Sequence, residues 1–83
     1  MTRRTSIWNI RSGEDLGRAI ADVRASRGLT QSDLATQAGL SRAYLAKIEA
    51  GRSVSLLEHE LRLLRRLGAT VTITVEMGQN GKT

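Results

Sequence analysis

Gly39 separates two short helical patterns within residues 30–52, TQSDLATQAGLSRAYLAKIEAGR, and this arrangement constrains the fold more than any other feature of the chain. Thr30 precedes the first pattern and Ser41 the second, and either hydroxyl can accept a backbone N–H in the first turn of a helix. Asp33 stands three residues after Thr30, where a side chain can return a second bond. Gly39 can adopt the positive φ that a tight corner needs. The stretch therefore predicts two helices that meet at a corner.

Small and apolar residues occupy the positions at which two steeply crossed helices must touch. A large side chain in place of Ala35 would push the second helix off the first. We expect the contact between the helices to be formed by Leu34, Ala35, Ala38, Leu40, Leu45 and Ile48. This spacing is typical of a helix-turn-helix unit, in which the second helix enters the major groove of DNA.

A longer helix precedes this unit. Ser12 begins it, Glu14 and Asp15 suit the positive end of its dipole, and Gly28 ends it. Its apolar residues recur at the spacing of one buried helical face: Leu16, Ala19, Ile20 and Val23. We therefore expect this helix to pack on the core of the domain.

A further helix follows, with a capping-box pattern at Ser55 and Glu58 and a stop at Gly68. Its leucines form two adjacent stripes, one of Leu57, Leu61 and Leu64 and another of Leu56, Leu63 and Leu67. One stripe can face the core, and the other can meet a second copy of the chain. The same helix carries Arg62, Arg65 and Arg66, which form either a solvated face or a binding patch.

The period changes after this helix, because apolar and polar residues alternate over residues 70–77. Alternation predicts a strand with one apolar face. A lone strand cannot satisfy its backbone, so its partner must be residues 5–10, TSIWNI, the same strand of a second copy, or both. The chain thus divides into an N-terminal arm that can form a short strand (1–11), a helix-turn-helix domain (12–68), and a C-terminal dimerisation strand with a short tail (69–83).

The net charge of +5 and the pI near 11.1 favour a polyanionic partner. Charge alone leaves nucleic acid, an anionic membrane surface and a merely solvated basic surface open. The absence of Phe, with one Trp and one Tyr, argues against a sheet that stacks RNA bases on aromatic rings.

Several classes of protein are not expected. With no cysteine and one histidine, His59, the chain can form neither disulfides nor the usual structural zinc site. It contains no apolar run of about 18 residues and no secretory pattern, so we expect a cytoplasmic protein without a membrane span. No nucleophile with a base, carboxylate pair or phosphate-binding glycine loop appears, so neither an enzyme nor a cofactor is expected.

The segments LTQSDLA, AGLSRAYLAKIEAGR and LLRRLG resemble the lambda- and Cro-type repressor domain of the Xre family over about residues 16–67. With TVTITVE following directly, they are similar in particular to HipB-like antitoxins. The resemblance implies a mainly α domain of four to five helices whose C-terminal strand pairs across a homodimer, here through Val71, Ile73 and Val75. It also implies a repressor that binds a palindromic operator, controls its own operon and holds a HipA-like kinase toxin inactive.

Position, chemistry and this resemblance together suggest roles for individual residues. The residues expected to contact bases are Arg42, Ala43 and Lys47. Those expected to contact the DNA backbone are Gln31, Ser41, Tyr44 and Arg52. Arg42 can bond a guanine bidentately, Lys47 can reach a guanine or a phosphate, and core packing is the alternative for Tyr44.

Two further residues, Arg24 and Glu49, match family positions that form a salt bridge between the first helix and the recognition helix. We expect a structural role for both. Two other functions stay open beside the antitoxin, namely a stand-alone repressor and an adaptor that binds protein without reading an operator.

Overall fold

The computed structural model describes residues 4–52 and 55–77, and within these ranges it contains four helices and two strands. In chain order the elements are β1 (Arg4–Asn9), α1 (Gly13–Ser26), α2 (Gln31–Ala38), α3 (Arg42–Glu49), α4 (Ser55–Arg66) and β2 (Thr72–Met77). The mainly α class expected from the sequence is confirmed. Residues 1–3 of the predicted N-terminal arm and residues 78–83, which hold the predicted short tail, lie outside the described residues.

The predicted caps form at the beginnings of the first three helices. The Thr30 hydroxyl accepts the N–H of Asp33 at 3.0 Å, and the Asp33 carboxylate accepts the N–H of Thr30 at 2.9 Å. Ser12 accepts the N–H of Asp15 at 3.1 Å, and Ser41 accepts that of Tyr44 at 3.0 Å. Local side-chain chemistry thus determines where these helices begin.

Gly39 forms the corner between α2 and α3. Its φ is 74°, and the N–H of the next residue, Leu40, donates to the carbonyl of Ala35 at 2.9 Å. This left-handed ending satisfies carbonyls that the helix would otherwise leave free. The chain can therefore leave α2 and start α3 within a few residues.

The two strands pair with each other in antiparallel orientation, with Trp8 opposite Ile73 and Ile7 opposite Thr74. Of the partners that the sequence left open for β2, the structure shows β1 of the same chain. The sheet has two strands only, so each keeps one edge without a ladder partner among the described residues. Ile7 faces away from the core and is 63% exposed.

The core lies between the sheet, α1 and α4. Ile10, Ala19 and Leu61 are buried there. Partly buried apolar residues pack against them: Trp8, Leu16, Leu57, Val71 and Ile73. Val71 and Ile73, expected at a dimer interface, therefore contribute to the core of their own chain, and Val75 is half-buried on the same face of β2.

Ala35 and Leu45 carry the contact between α2 and α3, with 2% and 3% of their surfaces exposed. Leu34 and Ile48 are half-buried beside them. The prediction was wrong for Ala38 and Leu40, which are exposed. These two residues flank Gly39 at the corner, whereas the buried residues Ala35 and Leu45 lie nearer the middle of the two helices.

The outer stripe of α4 is exposed, as its leucines show: Leu56 at 72%, Leu63 at 64% and Leu67 at 80%. The inner stripe is less complete than predicted, because Leu61 is buried and Leu57 half-buried but Leu64 is 37% exposed. Arg62 and Arg66 are exposed as well.

Two polar contacts attach α4 to the beginning of α1. The carboxylate of Glu58 accepts the N–H of Gly13, and the guanidinium of Arg65 donates to the carbonyl of Arg11. Glu58 therefore lies at the positive end of α1, where an anion is favourable, instead of closing the predicted box with Ser55. Residues 53 and 54, which precede Ser55, lie outside the described residues.

Candidate nucleic-acid interface

The beginning of α3 projects into solvent. Its buried side is formed by Leu45, with Ile48 half-buried one turn later, whereas Tyr44 and Lys47 are exposed. Ser41, Arg42 and Ala43 are all exposed. The result is a helix end that can approach a groove in another molecule without a change in the fold.

All three residues expected to contact bases lie on this surface. Arg42 and Ala43 stand in the first turn of α3, and Lys47 follows Ala43 by four residues, which places the two on neighbouring positions of one face. From Arg42 to Lys47 the surface extends about 7.5 Å along the helix axis. That length suits a short row of base pairs.

The residues expected to contact the DNA backbone surround this surface. Ser41 and Arg52 are exposed at the two ends of α3, and Tyr44 is 54% exposed. Core packing, the alternative role for Tyr44, is therefore not what the structure shows. Gln31 opens α2 and is half-buried.

Arg24 of α1 and Glu49 of α3 are in direct contact. The guanidinium donates from Nε to Glu49 Oε2 at 2.7 Å and from Nη2 to Oε1 at 3.0 Å. The side chains are 17% and 6% exposed, so the pair is largely shielded from water. A bidentate pair of this kind defines orientation as well as distance.

Two further groups join this pair. Arg24 Nη1 donates to the carbonyl of Leu29 at 2.8 Å, and the side-chain amide of Gln31 donates to Glu49 Oε1 at 2.9 Å. The network consequently joins α1, the loop after it, α2 and the end of α3. The sequence did not indicate the Gln31 contact, because nothing local marks two polar residues on different helices as partners.

The hydrogen bond from Arg24 holds the pKa of Glu49 below its ordinary value of 4.5, and the bond from Gln31 adds to this effect against the opposing effect of burial. The same hydrogen bond raises the pKa of Arg24. At the start of α2, the backbone N–H of Thr30 lowers the pKa of Asp33. Glu49 and Asp33 are therefore stabilised as anions.

Neither a metal site nor a membrane span can be built from the described residues. Within residues 4–52 and 55–77, no three or more His, Asp or Glu side chains are grouped to hold a metal ion. None of the four helices there is both long and apolar enough to cross a bilayer.

Two short helices that pack on each other and meet at a glycine corner, with an exposed basic end on the second helix, are typical of helix-turn-helix proteins. Residues 20–72 match the family HTH_3, helix-turn-helix, and the chain belongs to this family. It is 30% identical over 64 residues to the uncharacterized HTH-type transcriptional regulator y4mF of Sinorhizobium fredii strain NGR234, a match over 77% of this chain and 84% of that protein. No solved structure matches the chain significantly.

The lowered pKa of Glu49 predicts how stability depends on pH. The contribution of the pair is fully present above the ordinary pKa of 4.5 and is lost as the pH falls through the lower pKa of the folded state. We expect Glu49→Gln to melt several degrees below the wild type at about pH 7, because Arg24 loses its counterion, and the difference to shrink at about pH 3.

Thermal melts followed by circular dichroism measure this difference. Arg24→Ala should also melt below the wild type at neutral pH, whereas Arg62→Ala, which removes an exposed arginine of α4, should have little effect. A difference between Glu49→Gln and the wild type that stays constant down to about pH 3 would contradict the assignment.

Proposed function

We propose that this chain is a dimeric, sequence-specific transcriptional repressor that binds a palindromic operator with two copies of α3. The observation that carries the proposal is the exposed basic beginning of α3 on a helix whose other end is fastened to α1. Membership of the helix-turn-helix family, and similarity to a transcriptional regulator, support a DNA-binding regulator.

In the proposed complex the first turn of α3 enters the major groove. Arg42 donates two parallel hydrogen bonds to a guanine, and Lys47 reaches a second guanine or a phosphate. Ala43 stands between them, and its small side chain lets the helix approach the base edges. The sequence is therefore read by few residues, and each should have a separable effect on specificity.

Contacts with phosphates hold α3 in this position. The amide of Gln31 has a second N–H beside the one bonded to Glu49, and Gln31 is the first residue of α2, where an anion is favoured. The hydroxyls of Ser41 and Tyr44 and the guanidinium of Arg52 are exposed around α3 and can donate to further phosphates.

Dimerisation is proposed because a palindrome is read by two helices related by a two-fold axis. Two surfaces support it. The outer stripe of α4, which consists of Leu56, Leu63 and Leu67, leaves large apolar side chains in water. Among the described residues, β2 has one edge without a ladder partner, where a second β2 can add to the sheet. Pairing of β2 across the dimer would use this edge, while Val71 and Ile73 stay in their own core.

We further propose that the repressor is the antitoxin of a type II toxin–antitoxin pair and neutralises a HipA-like kinase. The resemblance of the helix-turn-helix and of the TVTITVE strand to HipB-like antitoxins supports this role. A stand-alone repressor of the same family is the second candidate. An adaptor that binds protein without reading DNA is less well supported, since it leaves the exposed arginine and lysine of α3 unused.

Arg42 and Gln31 should separate specificity from general affinity. We expect Arg42→Ala to cost roughly 1–3 kcal/mol of binding and to relax discrimination at one base pair of each half-site. Gln31→Ala should weaken matched and mismatched sites alike, because a phosphate carries no sequence information. The measurement is a fluorescence titration against a duplex that the wild-type protein selects from a randomised library, and against single-mismatch versions of it.

Arg52→Ala provides the electrostatic control for this experiment. Losing one phosphate contact of a cation should lower the slope of log affinity against log salt by about one per site, whereas Gln31→Ala should leave the slope nearly unchanged. Melting curves of Gln31→Ala are needed in parallel, since its amide also bonds Glu49. If Arg42→Ala loses affinity equally for all duplexes, Arg42 does not contact bases in the major groove.

Leu63→Asp should dissociate the dimer. The new charge would lie in the outer stripe of α4, and the substitution spares the core because Leu63 is 64% exposed. Ile73→Asp is unsuitable, since Ile73 packs in the core and its loss should unfold the domain. Sedimentation equilibrium distinguishes monomer from dimer, and Gln37→Asp on the exposed side of α2 is the matched control. A Leu63→Asp variant that still sediments as a dimer would place the interface elsewhere.

The toxin partner can be sought beside the gene. We expect a kinase-like product of the adjacent gene to co-purify with this chain when the two are co-expressed, and to bind equally well to Arg42→Ala, because a complex that represses must leave α3 free. A folded and toxic neighbouring product that does not bind would exclude the antitoxin role and leave the stand-alone repressor.

A further inference from the structure

Gly17 lies in the middle of α1 at a place where no side chain fits. It is buried, and a Cβ added to it would lie 2.4 Å from the carbonyl oxygen of Ile48 and 2.5 Å from that of Glu49. Gly17 is not among the glycines with positive φ, so the reason for glycine is space and not backbone conformation. The obstructing atoms belong to the backbone of α3 and cannot rotate away.

A second close approach lies one turn earlier on α1. A Cβ on Gly51, just after α3, would lie 2.7 Å from Cα of Glu14. Glu14, Gly17 and Arg24 follow the i, i+3, i+10 spacing of one helical face, and Arg24 holds the side chain of Glu49. The end of α3 and the residue after it thus contact α1 at three places along one face. Two of these are close approaches between backbones, and the third is the ion pair of Arg24 and Glu49.

We propose that Gly17 is a positioning residue for DNA reading, because the absence of a side chain there sets how closely and at what angle the end of α3 lies on α1. The inference rests on the proposed function, in which the beginning of α3 enters the major groove. Ile48 follows Arg42 by six residues, about 9 Å along the axis, and a short rigid helix tilted at one end must move at the other.

The displacement that a Cβ requires is large enough to matter. Cβ atoms essentially never come within 3.0 Å of a heavy atom of another, non-adjacent residue, so a methyl group at residue 17 must push α3 or α1 by more than half an ångström. A bidentate hydrogen bond from an arginine to a guanine tolerates little displacement, since bonds lengthened to about 3.6 Å are effectively lost. Specificity should therefore suffer before binding to phosphates does.

Gly17→Ala tests the proposal, with Gly28→Ala as the matched control. Gly28 has a φ of 72°, and no atom lies within 4 Å of a Cβ built on it, so its substitution strains the backbone without displacing α3. Two duplexes are the probes. One is the duplex that the wild-type protein selects, and the other carries a single mismatch at the base pair that Arg42→Ala no longer discriminates. We expect Gly17→Ala to lower the ratio of matched to mismatched affinity about ten-fold and Gly28→Ala to leave it nearly unchanged.

A DNA-free measurement separates this inference from the proposed function. In ¹⁵N-labelled protein, the amide resonances of Arg42 and Lys47 should shift in Gly17→Ala and stay in place in Gly28→Ala. If Gly17→Ala is partly unfolded, all three proteins are measured in trimethylamine N-oxide, which favours the folded state. Failure of the wild type to select any sequence would reject the proposed function alone. Unchanged α3 resonances, or an unchanged affinity ratio, in Gly17→Ala would overturn the role of Gly17.

Discussion

The carboxylate of Glu49, nearly buried at the end of α3, accepts hydrogen bonds from Arg24 of α1 and Gln31 of α2, and the placement of the proposed DNA-reading helix depends on it. An ion pair shielded in this way is not a large source of stability, because desolvation offsets much of the attraction. Its bidentate geometry gives direction, which apolar contacts lack. The exposed beginning of α3 is therefore presented at a defined angle, because Leu45 is packed against α2 and Glu49 is held by α1 and α2.

The second half of the structure is held mainly by apolar contacts, and these are few. Leu61 of α4 is buried and Leu57 packs against the core, and two polar contacts, through Glu58 and Arg65, attach the helix to the beginning of α1. A domain of this size buries little apolar surface, so each leucine left outside the core is a loss of stabilisation. Leu56, Leu63 and Leu67 are nevertheless exposed to water. The proposed DNA surface lies on α3 and the proposed dimer surface on α4. A regulator that binds DNA as a dimer requires two such separate surfaces.

Much of the helix-turn-helix could be read from the sequence because its signals are local. Thr30, Ser41 and Gly39 act on backbone groups within a few residues, so their spacing alone predicts where α2 and α3 begin and turn. The signal at Gly17 is weaker: glycine inside a helix costs about 1 kcal/mol relative to alanine, which indicates a packing constraint without naming the contact. The bond from Glu58 to Gly13 had no such signal, since it joins residues far apart in the chain.

The sequence by itself thus determined the elements and their ends, because capping, left-handed glycine and hydrophobic period act over one or two turns. Only the tertiary structure decided which of the alternatives was used. It paired β2 with β1 of its own chain, turned Val71 and Ile73 towards the core, and left Leu40 and Ala38 in solvent. It also brought Gln31 of α2 within hydrogen-bonding distance of Glu49, so that Glu49 connects three helices. These outcomes depend on how distant segments compete for the same small core and the same polar partners, and a one-dimensional pattern does not contain that competition.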